Sequence, residues 1–231
     1  GLKDVYKATK QRLSFTQVNE THIIDQVKKI DARYFQGPLK DMPKVKFEEY
    51  TPEELGQALF TAGISNKNIE DILKVLDQAE RLWYCYAYAK DRLRPSGYEV
   101  ISHMLLPLFL GLGWSHQQIA VEWQNVDMAF FKEMSSTLEN CVMILEAKGW
   151  GQTLHSVFDQ PKECIKKLGL KNVKYILLAD GANVFMYKKI GDDWDQTPAG
   201  YFNIWSMQKE YMLPKNTNLI ETLVQLQPSA L

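Results

Sequence analysis

Apolar residues along the chain change their spacing near residue 95, and that change divides it into two textures. Residues 1–50 are polar and mixed, broken at Gly37-Pro38 and Pro43, and fit either short helices or an extended arm. Thr51-Pro52-Glu53-Glu54 then reads as an N-cap, a proline at the first helical position and acids in the first turn. The helix it starts runs through Leu55, Leu59 and Phe60 and stops near Gly63. A second start at Ser65 or Asn66 leads into Ile69, Ile72, Leu73, Leu76, Ala79, Leu82, Trp83 and Tyr86. These lie three or four residues apart, an amphipathic helix that ends near Arg94-Pro95. Beyond it, Ser96-Gly97-Tyr98-Glu99 opens an apolar helix, Val100 to Leu110, closed by Gly111-Leu112-Gly113-Trp114. Strand-like runs follow at Ile119–Trp123, Val126–Phe131 and Cys141–Ala147, then a helix between about Thr153 and Leu168. Tyr175–Ala179 and Asn183–Tyr187 flank Asp180-Gly181 as a hairpin. Tyr201–Trp205 predicts another strand and Asn218–Leu226 a last helix. The order predicts an α/β chain, a mixed sheet flanked by helices. It divides into a mostly helical N-terminal region, 1–95, and a sheet-bearing domain, 96–231.

Composition changes this picture little. At 231 residues, 45% hydrophobic and 24% charged, the chain can bury a core without staples, and it is neither low-complexity nor collagenous. The net charge of −1 excludes a self-sufficient basic coat for nucleic acid. Residues 1–47 nonetheless hold ten basic against five acidic residues, a surplus that can meet phosphates or simply face solvent. Three widely spaced cysteines without CxxC fit a reducing compartment, and the four histidines lack metal-ligand spacing. No apolar run reaches membrane-spanning length, and the first residues do not read as a signal peptide, so a cytoplasmic protein is expected. There is no internal repeat, no GxxxxGK[ST] and no GxGxxG.

The chemistry is concentrated in Val142-Met143-Ile144-Leu145-Glu146-Ala147-Lys148. A continuous apolar run predicts a strand buried on both faces, and this one ends in an acid and a base separated by one residue. In a strand those two side chains share a face, and buried charge requires a partner. Asp127 heads the preceding strand, 19 residues before Glu146. An antiparallel hairpin through the polar loop Lys132–Asn140 brings the two carboxylates side by side. Two carboxylates and a nearby carbonyl suit Mg²⁺, with Mn²⁺ as a substitute, and Lys148 can orient or deprotonate a water whose pKa the ion lowers. Glu146–Lys148 is the one [DE]-x-K triplet in the sequence. The plain alternative is a solvated pair where a strand leaves the sheet.

Four segments, YEVISHMLLPLFLGLGW, NVDMAFF, VMILEAKGW and DQPKECIKKLGLKNVKYILLADGANVFMYK, occur in an order and spacing that resemble a known family. It is the PD-(D/E)xK nuclease domain of the type I restriction enzyme R subunit. The resemblance covers somewhat over half the chain and implies a restriction-endonuclease-like fold. It implies Asp127 and Glu146 as metal ligands, the Ala147 carbonyl as a further one, and Lys148 as the catalytic base. Glu99 matches the acid of the first core helix that helps place the attacking water and supports the metal. Gln160 matches the glutamine of the family's Q-x-x-x-Y motif, although Cys164 stands where tyrosine is expected and Pro161 follows directly. The implied activity is Mg²⁺-dependent hydrolysis of double-stranded DNA in a restriction or defence setting, leaving 5′-phosphates. Motor or specificity subunits are the implied partners, and the chain reads as a stand-alone relative or a piece of a longer polypeptide.

Other features carry two readings each. His103 can face the metal site or pack on its helix. Lys162, Lys166, Lys167, Lys171 and Lys174 can grip phosphates or solvate a helix. Trp83, Tyr84, Tyr86 and Tyr88 can stack on bases or pack a core, while Met207, Tyr211 and Met212 read as core. The alternative function is a non-catalytic module on the same scaffold that docks DNA or a subunit. A structural ribonuclease or a Holliday-junction resolvase would differ only in substrate.

Overall fold

The computed structural model describes residues 48–88, 94–150, 154, 157–211 and 217–231, with backbone alone at 87–88. The basic segment 1–47, His155, Met212 and the side chain of Tyr88 lie outside the described residues. The chain divides into a unit of residues 1–46 and a unit from Phe47 to Leu231, so the boundary expected at 95/96 lies inside the second.

Helix α1 (Pro52–Thr61) starts on the expected cap: Thr51 accepts from the Glu54 N–H while the Glu54 carboxylate accepts from the Thr51 N–H. Helix α2 (Asn66–Tyr88) buries Ile69, Ile72 and Ala79. The apolar helix predicted from Val100 is not uniform. It runs as α3 (Gly97–Val100), a π-helical turn (Ile101–Leu105) and α4 (Leu106–Gly111). Pro107 is the physical reason, because it has no N–H for the carbonyl four residues back. The Leu106 N–H instead reaches the Ile101 carbonyl.

The strands are β1 (Ile119–Trp123), β2 (Val126–Phe131), β3 (Cys141–Ala147), β4 (Tyr175–Ala179), β5 (Asn183–Ile190), β6 (Asp193–Trp194) and β7 (Gly200–Asn203). They form one mixed sheet in the order β1-β2-β3-β4-β5, with β6 and β7 both paired to β5. Among the described residues only β3 and β4 pair in parallel, and the link between them carries helix α5 (Asp159–Leu168). A parallel pair needs such a crossover. A short β8 (Glu210–Tyr211) and β9 (Thr217–Asn218) pair separately before helix α6 (Leu219–Gln225). The three-strand, helix, two-strand order is therefore as the periodicity predicts, with β5 extended three residues past Tyr187.

One face of the sheet, including Met128, Phe130, Met143, Leu145 and Ala147, shares a core with α1 to α4 and α6. The opposite face takes α5, with the Phe158 ring 4.2 Å from that of Tyr187. All seven residues of β3 are buried, as a strand covered on both sides requires. Gly181, φ 83°, turns the β4–β5 hairpin against α3, where a Cβ would come within 2.9 Å of Val100. Met207 and Tyr211 are core as expected. The Tyr211 hydroxyl donates to the Ser206 carbonyl and accepts from two backbone N–H groups, and burial pushes its pKa up to about 12.

The cysteines separate by burial. Cys141 has no exposed surface and burial pushes its thiol up to about 12, Cys164 is half-buried and raised, and Cys85 is exposed. Maleimide at pH 7.5 is expected to modify Cys85 rapidly and Cys141 only in denaturant, read by peptide mass spectrometry. Rapid labelling of Cys141 in buffer would contradict the buried β3.

Candidate active site

The β2–β3 pairing sets the position of both acids. Met128 faces Leu145 in the antiparallel register, and one step further Asp127 lies opposite Glu146. Cross-strand partners point to the same side of a sheet, so both carboxylates face the α5 side. Asp127 Oδ2 accepts the Ala147 N–H at 2.6 Å, which ties the head of β2 to the end of β3. The predicted hairpin is thus the element that brings the acids together.

Glu146 is 1% exposed. Its Oε1 accepts from Lys148 Nζ at 2.5 Å, and its Oε2 is buried with no hydrogen-bond partner. Burial raises the Glu146 pKa above the ordinary carboxylate value. The hydrogen bond from Lys148 opposes the rise and the charge of Asp127 adds to it. Gln160, on the first turn of α5, approaches the same carboxylate and favours its charged form. A buried carboxylate with one satisfied and one unsatisfied oxygen is costly unless something binds it. Lys148 keeps its side chain 24% exposed, between the buried acid and solvent.

Asp127, Glu146, Lys148 and Gln160, all expected from the sequence, converge. The Ala147 carbonyl faces the start of α3, 3.7 Å from the position a Cβ on Gly97 would take. Glu99 caps α3: one carboxylate oxygen accepts from the Ser96 N–H and hydroxyl, and the other accepts from the Tyr86 hydroxyl. The Ser-x-x-Glu spelling of a capping box was visible in Ser96–Glu99. His103 is exposed, with its Nδ1 3.4 Å from the Tyr86 hydroxyl of α2. Lys162 pairs with Asp159 and lies over the Phe158 ring, and Lys174 donates to the Leu231 carbonyl. Lys166, Lys167 and Lys171 are exposed. Trp83 sits against Tyr84 and Trp205, a packing role.

Two neighbours, Tyr98 and Glu122, were not evident in the sequence, and a third, Cys164, was known there only as the residue in a motif's tyrosine place. Tyr98 is 70% exposed, and its phenol pKa is raised by a hydrogen bond to Glu122 and, more weakly, by the Asp127 charge. Glu122 belongs to β1, whose antiparallel register sets it opposite Asp127. Cys164, one turn after Gln160, donates through Sγ to the Gln124 carbonyl at 3.4 Å. Only strand register, not residue type, links Glu122 to the acids.

Among the described residues no group of three or more His, Cys, Asp and Glu side chains is arranged to hold a metal. A hard cation here would rest on Asp127, Glu146, the Ala147 carbonyl and its own waters, a donor set that Mg²⁺ accepts because it retains water. The unpartnered Glu146 oxygen fits that use. No helix among the described residues is long and apolar enough to cross a membrane. No family model, no curated protein and no solved structure matches this chain.

Proposed function

We propose that this chain is a divalent-metal-dependent endodeoxyribonuclease of the PD-(D/E)xK type, acting on double-stranded DNA in a restriction or defence role. The observation that carries the reading is Glu146, a buried acid opposite Asp127, paired to Lys148 through one oxygen and unpartnered at the other. Asp127 and Glu146 would hold Mg²⁺, or Mn²⁺ in its place, with the Ala147 carbonyl. When bound, the ion lowers the pKa of water and offsets charge on the phosphate. Lys148 orients the attacking water and neutralises charge that develops on the phosphoryl oxygens. Gln160 approaches the Glu146 carboxylate and adds a small pull toward its ionised form, against the net rise that burial causes. Glu99 acts as a positioning residue, since its cap sets the start of α3 beside the Ala147 carbonyl.

The direct test is conversion of supercoiled plasmid to open circle in Mg²⁺ or Mn²⁺, with EDTA as control. Failure of both ions to support nicking sinks the reading. DNA binding without hydrolysis would favour a docking module. Nicking by the full chain is also expected to fall steeply between 50 and 200 mM salt, by roughly a hundredfold or more, if phosphate contacts dominate. Deleting residues 1–47 should flatten that slope, and an unchanged slope removes the basic segment from the DNA contact.

A further inference from the structure

The β1–β2 hairpin turns through Gln124 and Asn125, with Trp123 facing Val126. Both turn residues have left-handed backbone, φ 52° and 69°, and Glu122 just before them has φ 53°. A two-residue turn with both φ values positive is ordinarily Asn-Gly, because glycine takes that conformation without strain. Here glutamine occupies the first place and asparagine the glycine place, and a third non-glycine residue joins them. The hairpin would be easier to form with glycines, so stability does not account for the side chains.

Its location does. Asn125 is two residues before Asp127. The Cys164 thiol fastens the Gln124 carbonyl to α5, one turn from Gln160. On the other flank the Glu122 carboxylate meets the Tyr98 hydroxyl, beside Asp127. Directly beside the turn, the Trp123 ring stands edge-on to Phe131, with centroids 5.1 Å apart. The tip is therefore anchored on both sides, while Gln124 and Asn125 themselves are exposed.

We propose that Gln124 and Asn125 form a DNA-contacting tip, whose two amides meet the duplex beside the phosphate to be cleaved. The inference rests on the nuclease reading and adds the residues that seat the substrate. Each amide offers donors and an acceptor, the chemistry that base edges and phosphates take. Neither carries a charge that would repel the backbone.

The test uses the full chain, a fluorescein-labelled duplex, and Ca²⁺ in place of Mg²⁺ so that binding is read without cleavage. In Gln124→Gly/Asn125→Gly the melting temperature is expected to rise by about 2 °C. Duplex affinity should fall by about tenfold or more, with Mn²⁺ binding unchanged. Gln124→Asn keeps an amide on a residue that tolerates positive φ, and should stay within about threefold of wild-type affinity. Wild-type affinity in the double-glycine variant, or a lower melting temperature, overturns the tip while leaving the nuclease reading intact. If the wild-type chain neither binds nor nicks duplex DNA, both fall together.

Discussion

Asp127→Asn is expected to lower Mg²⁺-dependent plasmid nicking by about a thousandfold while the protein melts as the wild type does. Two roles meet at this residue. Its Oδ2 satisfies the Ala147 N–H at the end of β3, and its charge lies beside Glu146. Asparagine retains an acceptor for the N–H but removes the anion, so it separates structure from chemistry. Asp127→Ala removes both, leaves the amide of Ala147 unsatisfied, and should cost about 1–3 kcal/mol of stability besides the activity. Lys148→Ala should lose nicking to a similar degree without change in the circular dichroism spectrum, because the charge it places against the phosphoryl oxygens is gone. Undiminished nicking by Asp127→Asn would mean that the carboxylate is only a strand tie, and the metal reading would go with it.

Glu146→Gln is expected to end nicking and yet stabilise the ion-free protein at pH 7.5. Burial raises the pKa of this carboxyl in the folded chain above its unfolded value. A raised folded value means that the native state binds the proton more tightly. The group's contribution to stability is therefore complete below the unfolded pKa and is lost as pH rises through the folded one. Above both values the fold carries a buried charge of which Lys148 satisfies only one oxygen. Glutamine relieves it, and calorimetry in EDTA at pH 7.5 should show a melting temperature higher by about 2–4 °C, the change that ~1 kcal/mol produces in a chain of this size. The gap should close as the pH is lowered toward about 4, where the wild-type carboxyl is neutral as well. Saturating Mg²⁺ should also narrow it, since an ion that binds only the native wild type stabilises that state. A Glu146→Gln variant less stable than wild type in EDTA would show the Glu146–Lys148 pair to be a net structural tie.

The parts of this site that are legible in the sequence are those in which sequence distance and space agree. Glu146 and Lys148 share a strand end, so period-two geometry alone sets them on one face. Asp127 and Glu146 are joined by one short hairpin, whose register follows once the apolar faces of β2 and β3 are matched. Gln160 was assigned from a motif whose tyrosine is a cysteine here, yet α5 directs both Gln160 and Cys164 toward Glu146 because they are one turn apart. The use of Glu99 was less legible. The same acid satisfies a family position and the capping-box rule, and Ser96 and Tyr86 take its oxygens.

What the linear chain determined by itself was the helix and strand order and the neighbouring of residues 127, 146 and 148. Hydrophobic period, caps and turn residues are local properties and act within a few residues. What only the tertiary structure decided was the unpartnered oxygen of Glu146, the packing of α1 and α2 into the sheet's own core, and the approach of Glu122 and Tyr98 to Asp127. Those depend on which elements lie above and beside β3 and exclude water from it. Desolvation is a sum over the whole surroundings of a group, and no stretch of the chain holds it alone.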